Sequence, residues 1–179
     1  MPQAIKLPAR GSRGIVHVII DTPQGSRNKF KFDDALKLFK LSRRLPAGMH
    51  FPHDFGSIPS TLGADGDALD VVVLSDNPGF VGCLMTVRLI GVIRAEQVER
   101  HRRIRHDRLV ALPITPVNKP RLRQLSDVPP PVIEELEQFF VNYNKVHGRE
   151  FLPTGWHGAA AAERLLEEGI RQYAQRAAG

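Results

Sequence analysis

The stretch TLGADGDALDVVVL, residues 61–74, places three aspartates, Asp65, Asp67 and Asp70, at the mouth of an unbroken apolar run. A short β-branched run bounded by Gly and Asp reads as a buried strand, which makes this a strand-built chain. The carboxylates at its entrance point to divalent metal chemistry, because hard cations need several oxygen ligands and a strand end fixes them better than a free loop. A plain polar turn is the competing reading, since Asp and Gly are also the usual turn formers. A calcium EF-hand loop fails on spacing. With Asp65 as its first position, the sixth is Asp70 where Gly is needed, and the twelfth is Asp76 where Glu is needed.

Working outward, further strand-like segments fill the first two thirds: GIVHVIID (14–21), NKFKFD (28–33), LKLFKLS (36–42), CLMTVRLIGVIR (83–94) and RLVALPI (108–114). Several alternate apolar and polar residues, and Gly and Pro punctuate the gaps, so a barrel or sandwich core is expected. The period changes after Pro129–Pro131. Val132, Ile133, Leu136, Phe139, Phe140 and Tyr143 follow helical spacing, and Ala162, Leu165, Leu166, Ile170 and Tyr173 mark a second amphipathic helix. The expected fold is α+β and mainly β, a β-barrel with two C-terminal helices packed outside it.

A chain of 179 residues, 42% apolar, suits a single domain spanning 1–179. No stretch approaches the roughly 18 apolar residues of a membrane helix, and the start lacks the layout of a signal peptide. The lone Cys83 cannot form an internal disulfide, and a cytoplasmic protein without membrane partners is expected. The net charge of +6 and pI near 9.9 attract anions without choosing among them. With two tyrosines and one tryptophan, platforms for stacking bases are scarce, so no nucleic-acid partner is expected. The arginine-rich run 98–108 reads as a solvated hairpin.

Lys29 and Lys31 alternate on NKFKFD, so both ammonium groups share a face, an arrangement that favours an anion between them. Arg43 and Arg44 precede a Gly- and Pro-rich return, and arginine grips phosphate through paired hydrogen bonds.

Together, GSRNKFKFD (25–33), FPHDFGSIPSTLGADGDALDVVVL (51–74), GCLMTVRLIGVI (82–93), DRLVALP (107–113), FFVNY (139–143) and GW (155–156) resemble the soluble family I inorganic pyrophosphatases in order and spacing. The resemblance implies a five-stranded, OB-like closed barrel, hydrolysis of pyrophosphate, dependence on magnesium, and a homo-oligomer, with a hexamer favoured. Carried over by position, it implies Asp65, Asp70 and Asp21 as metal ligands and Asp67 as the general base that orients and deprotonates water. Lys29, Arg43, Arg108 and Tyr143 match phosphate-binding positions.

The departures are specific. Lys31 replaces an acidic residue, Phe55 a tyrosine and Asn144 a lysine, while an insertion between Gly91 and Pro113 leaves Glu96 or Gln97, and His106, at two metal-binding aspartate positions. Imidazole suits manganese or cobalt better than magnesium, so His106 raises the expectation that one of those ions is preferred. One reading reconciles the changes: the site is rebuilt, with Lys31 supplying the phosphate-binding charge lost at Asn144 while fewer carboxylates hold fewer or weaker metals. Two other functions compete, a non-catalytic barrel that binds nucleotides or nucleic acid, and a hydrolase of another phosphoanhydride.

Overall fold

The computed structural model describes residues 7–33, 35–114 and 122–179. Its strands are β1 (Val16–Thr22), β2 (Asn28–Asp33), β3 (Leu38–Arg44), β4 (Asp54–Ser57), β5 (Asp70–Val73), β6 (Leu84–Glu99), β7 (Arg102–Arg105), β8 (Arg108–Pro113) and β9 (Glu150–Gly158). The helices are α1 (Pro130–Lys145) and α2 (Ala159–Ala178). Five strands close a ring in the order β1–β4–β5–β8–β6, with β6 returning to β1 through Val16 opposite Val87. Neighbours in the ring are antiparallel except β5 and β8, which run parallel with Val71 opposite Leu109. The expected closed barrel with helices outside is therefore present.

The membership of the ring differs from a direct reading of the strand-like segments. NKFKFD and LKLFKLS do form strands, but β2 and β3 pair only with each other among the described residues, as a separate two-stranded sheet. The fifth ring strand is β4, the four residues DFGS, too short to show a period. Its Gly56 is required by proximity: a Cβ there would stand 2.3 Å from the Ile19 carbonyl oxygen of β1. Strand β9 carries Pro153 and Gly155, which mask it as a strand, yet it pairs antiparallel along the outer half of β6. The arginine-rich run is a hairpin, β6 to β7, turned by Arg100 and His101 at φ of 46° and 65°.

The apolar run of β5 is explained by two cores. Val71 and Val73 pack with Val16, Val18, Leu109 and the α2 residues Leu165 and Leu166. Val72 and Leu74 face the other way, towards Phe55, Val110, Ile93 and the α1 residues Leu136 and Phe140. A strand buried on both faces has no polar alternation to keep. Helix α1 begins with Pro130 in its first turn, where a missing N–H costs nothing, and both helices bury the stripe their 3.6-residue period supplies.

Candidate active site

The aspartate segment is a turn braced by its own backbone. The Thr61 hydroxyl donates to the Ile58 carbonyl at 2.6 Å and accepts the Leu69 N–H at 3.0 Å. Gly63 N–H bonds the Asp67 carbonyl at 2.7 Å, and Asp67 N–H bonds Asp65 Oδ1 at 3.1 Å. Gly66, at φ +86°, makes the left-handed corner that a side chain would resist. Helix α2 supports the turn from behind, where the Leu62 N–H reaches the Gly169 carbonyl at 3.0 Å. Turn chemistry and ligand chemistry are thus the same object: the turn holds Asp65 and Asp67 out while Asp70 opens β5.

A cavity of about 880 Å³ spreads above this turn. Its acidic groups are Asp21 from β1, Asp65 and Asp67 from the turn, Asp70 from β5 and Glu99 from the end of β6. Its basic groups include Lys29 and Lys31 from β2, Arg43 from β3 and Arg108 from β8, and it also contains His106 and the α1 residue Tyr143. The hairpin that left the ring is what brings the two lysines and Arg43 over the aspartates. Glu96 does not join them. Its carboxylate binds Arg103 at 2.9 Å outside the cavity, whereas Gln97 and Glu99 line it. Among the residues weighed as metal ligands, Glu96 is therefore misplaced, because alternation along β6 turns its odd-numbered neighbours inward.

Each charge has an identifiable neighbour. Arg108 is 4% exposed, forms an ion pair with Asp70 Oδ2 at 2.9 Å, and lies within 5.9 Å of the ring centres of Phe55, Phe140 and Phe151. Burial alone would raise the Asp70 carboxyl, but Arg108, His106 and Lys29 hold it well below the usual carboxylate range. Asp21 has no such basic contact. Burial pushes its carboxyl up to about 7, with only Ser57 Oγ at 3.4 Å as a hydrogen-bond donor. Burial also brings the Lys29 ammonium down to about 8, where it sits 3.8 Å above the Phe55 ring. His106 bonds Gln97 Oε1 through Nδ1 at 2.8 Å and Asp65 Oδ2 through Nε2 at 2.9 Å. Burial and Arg108 lower its pKa, but the carboxylates prevail and raise it above the ordinary histidine value. Asp107 faces away, paired with Arg94 and Arg105.

Sequence reading missed Glu99, Arg149 and Arg176, which also line the cavity. Alternation from Gln97 could have found Glu99. Arg149 lies 3.0 Å from Glu99, and Arg176, near the end of α2, reaches the Gly66 carbonyl at 3.4 Å. Nothing local in the sequence marks those two arginines.

The donor set fits a hard divalent cation: four aspartates, one of them the partly buried Asp21, which among the described residues has no basic side chain in hydrogen-bond contact. Among the described residues, however, no three His, Cys, Asp or Glu side chains converge as a ready-made cage. Basic side chains stand on three of the four aspartates.

A barrel mouth where carboxylates for a cation meet cations for a polyanion defines a phosphate-processing site. The inorganic pyrophosphatase family model matches residues 18–174. The inorganic pyrophosphatase of Synechocystis is 32% identical over 168 residues, covering 94% of this chain and 97% of its own. That of Geobacillus stearothermophilus is 33% identical, covering 89% and 94%. The crystal structure of the Thermus thermophilus inorganic pyrophosphatase superposes with a TM-score of 0.85 at 32% identity, covering 93% of this chain and 96% of that one. The chain belongs to the inorganic pyrophosphatase family.

Proposed function

We propose that this protein hydrolyses inorganic pyrophosphate to two phosphates, with Asp67 as the general base. The observation that carries the reading is the meeting, in one cavity, of Asp67 with flanking carboxylates and a basic clamp of Lys29, Arg43 and Arg108. Asp65, Asp70 and Asp21 would hold a divalent cation, which when bound acidifies water and neutralises charge developing on phosphate. Asp67, at the tip of a braced turn, accepts the proton of the attacking water. Lys29, Arg43, Arg108 and Lys31 grip the phosphate oxygens, with the Tyr143 hydroxyl beside them, and positioning and electrostatics supply most of the rate in phosphoryl transfer.

Magnesium is the expected ion. His106 lies against Asp65 and Asp70, so manganese or cobalt is proposed to support higher turnover, which assays on chelated and reloaded protein test directly. A homo-oligomer, with a hexamer favoured, fits the exposed Leu36, Leu38, Leu41, Phe80 and Leu84. No described helix is long and apolar enough to cross a membrane, and the free Cys83 suits a cytoplasmic setting.

Family membership favours hydrolysis over a non-catalytic barrel. Phosphate release measured with pyrophosphate, tripolyphosphate and nucleoside triphosphates should be greatest with pyrophosphate and fall at least a hundredfold, on the order expected for a lost general base, in Asp67→Asn. Activity surviving in Asp67→Asn would refute the assignment of the base.

A further inference from the structure

Three of the four cavity aspartates are already partnered by the chain's own basic groups, but the three partners differ in kind. Arg108 is buried against aromatic rings and also donates to the carbonyls of His106 and Asp107 at 3.3 and 3.1 Å. His106 is fastened at its other nitrogen by Gln97. Lys31 has no such anchor. Its side chain is 58% exposed, it extends from the β2–β3 hairpin outside the ring, and its ammonium bonds Asp67 Oδ2 at 2.9 Å as its one ion pair among the described residues. Burial works to lower the Lys31 pKa, but Asp67 outweighs it, so the ammonium stays charged.

We propose that Lys31 is a displaceable counter-cation of Asp67: in the substrate-free protein its charge opposes the binding of a divalent cation at the neighbouring Asp65 and Asp70, and it swings onto the oxygens of bound pyrophosphate, freeing Asp67. The second half rests on the pyrophosphatase reading; the first stands on the ion pair alone. Exposed pairs between flexible side chains are held weakly, and lysine is a point charge on a rotatable stem, so a multiply charged phosphoanhydride can draw it away. A resident positive charge within a few ångströms of a divalent ion opposes its binding even at the dielectric of water. The cation and the substrate would then assemble together in the cavity.

Manganese titration of the substrate-free protein, followed by water-proton relaxation, tests this with no turnover required. Lys31→Met and Lys31→Gln should each tighten manganese binding about tenfold, the scale of one unit charge at that range in high dielectric. Lys40→Met removes the same charge from the Asp33 pair outside the cavity and should leave the affinity unchanged. Unchanged affinity in both Lys31 variants, or equal tightening in Lys40→Met, would overturn the proposal. With saturating imidodiphosphate, a pyrophosphate analogue, the gap between wild type and Lys31→Met should close. A gap that persists would mean that Lys31 never leaves Asp67, and would overturn the displacement. Absence of phosphate release by the wild type would refute the pyrophosphatase reading, while a tenfold gap in the substrate-free titration would still support the counter-cation.

Discussion

Arg108 Nη1 stands 2.9 Å from Asp70 Oδ2, and the guanidinium behind that contact is buried among Phe55, Phe140 and Phe151. The pair links the two ring strands that run parallel, β5 and β8. Removing one member leaves an uncompensated charge beside apolar rings, so Arg108→Met is expected to cost about 3 kcal/mol of stability in urea unfolding. Arg108→Met combined with Asp70→Asn should recover part of that loss, which separates the burial penalty from simple loss of packing.

Lys31→Glu tests the rebuilt phosphate clamp. Reversing the charge at the cavity rim should raise the KM for magnesium pyrophosphate roughly tenfold, the scale of one charge-assisted contact. An unchanged KM would show that Lys31 contributes nothing to substrate binding.

Lys29 is more deeply set, with its ammonium 3.8 Å above the Phe55 ring. Lys29→Met is expected to raise KM by about tenfold or more, because a desolvated charge meets phosphate without water to screen it. Steady-state kinetics at fixed free magnesium would check this.

His53 gives the protein a pH dependence unrelated to catalysis. Both its ring nitrogens are buried without hydrogen-bond partners among the described residues, and burial lowers its pKa against the opposing pull of Glu135 and Asp54. The unfolded chain therefore binds the proton more readily than the fold does. Stability is fully present above the ordinary histidine value near 6.5 and declines as pH falls below it. The difference in thermal unfolding between wild type and His53→Gln from about pH 7 to 5 should isolate this slope from the opposite one that Asp21, raised to about 7, contributes.

Gly56→Ala should be among the more damaging single-methyl changes. The added carbon would meet the Ile19 carbonyl oxygen at 2.3 Å, its carbon at 3.0 Å and Val18 Cγ1 at 2.9 Å, so the β1 backbone itself would have to shift. A loss of about 3 kcal/mol or more is expected, at the upper end of overpacking costs.

The aspartate strand, the long apolar segments and both helices were legible because burial imposes a period or an unbroken run on them. Which strands share a ring was not. NKFKFD and LKLFKLS satisfy strand chemistry as well as any ring member, and nothing local in them records that they pair apart. Strand β4 is four residues long and β9 is interrupted by Pro153 and Gly155, so neither carries a usable pattern. At the site, Asp21, Lys29, Arg43, Asp65, Asp67, Asp70, His106, Arg108 and Tyr143 all reach the cavity. Glu96 was lost to a parity problem. The register of β6 against β8 shifts between Leu89 and Gly91, where Ile90 is an extra residue, and such a bulge changes which side chains face inward in a way that spacing cannot record.

Strand β6 pairs with β1, β8, β9 and β7, so it belongs at once to the ring, the arginine hairpin and the final sheet edge. No partial opening can release its central amides without parting β6 from β8 and from β9, which lies far along the sequence. Hydrogen exchange at Leu89–Ile93 should therefore report whole-molecule unfolding, while the detached β2–β3 hairpin exchanges through smaller excursions. The framework that holds Asp70 and Arg108 is thereby paired apart from the hairpin that carries Lys31, which meets β1 through the Phe30 N–H to Thr22 Oγ1 bond at 3.1 Å.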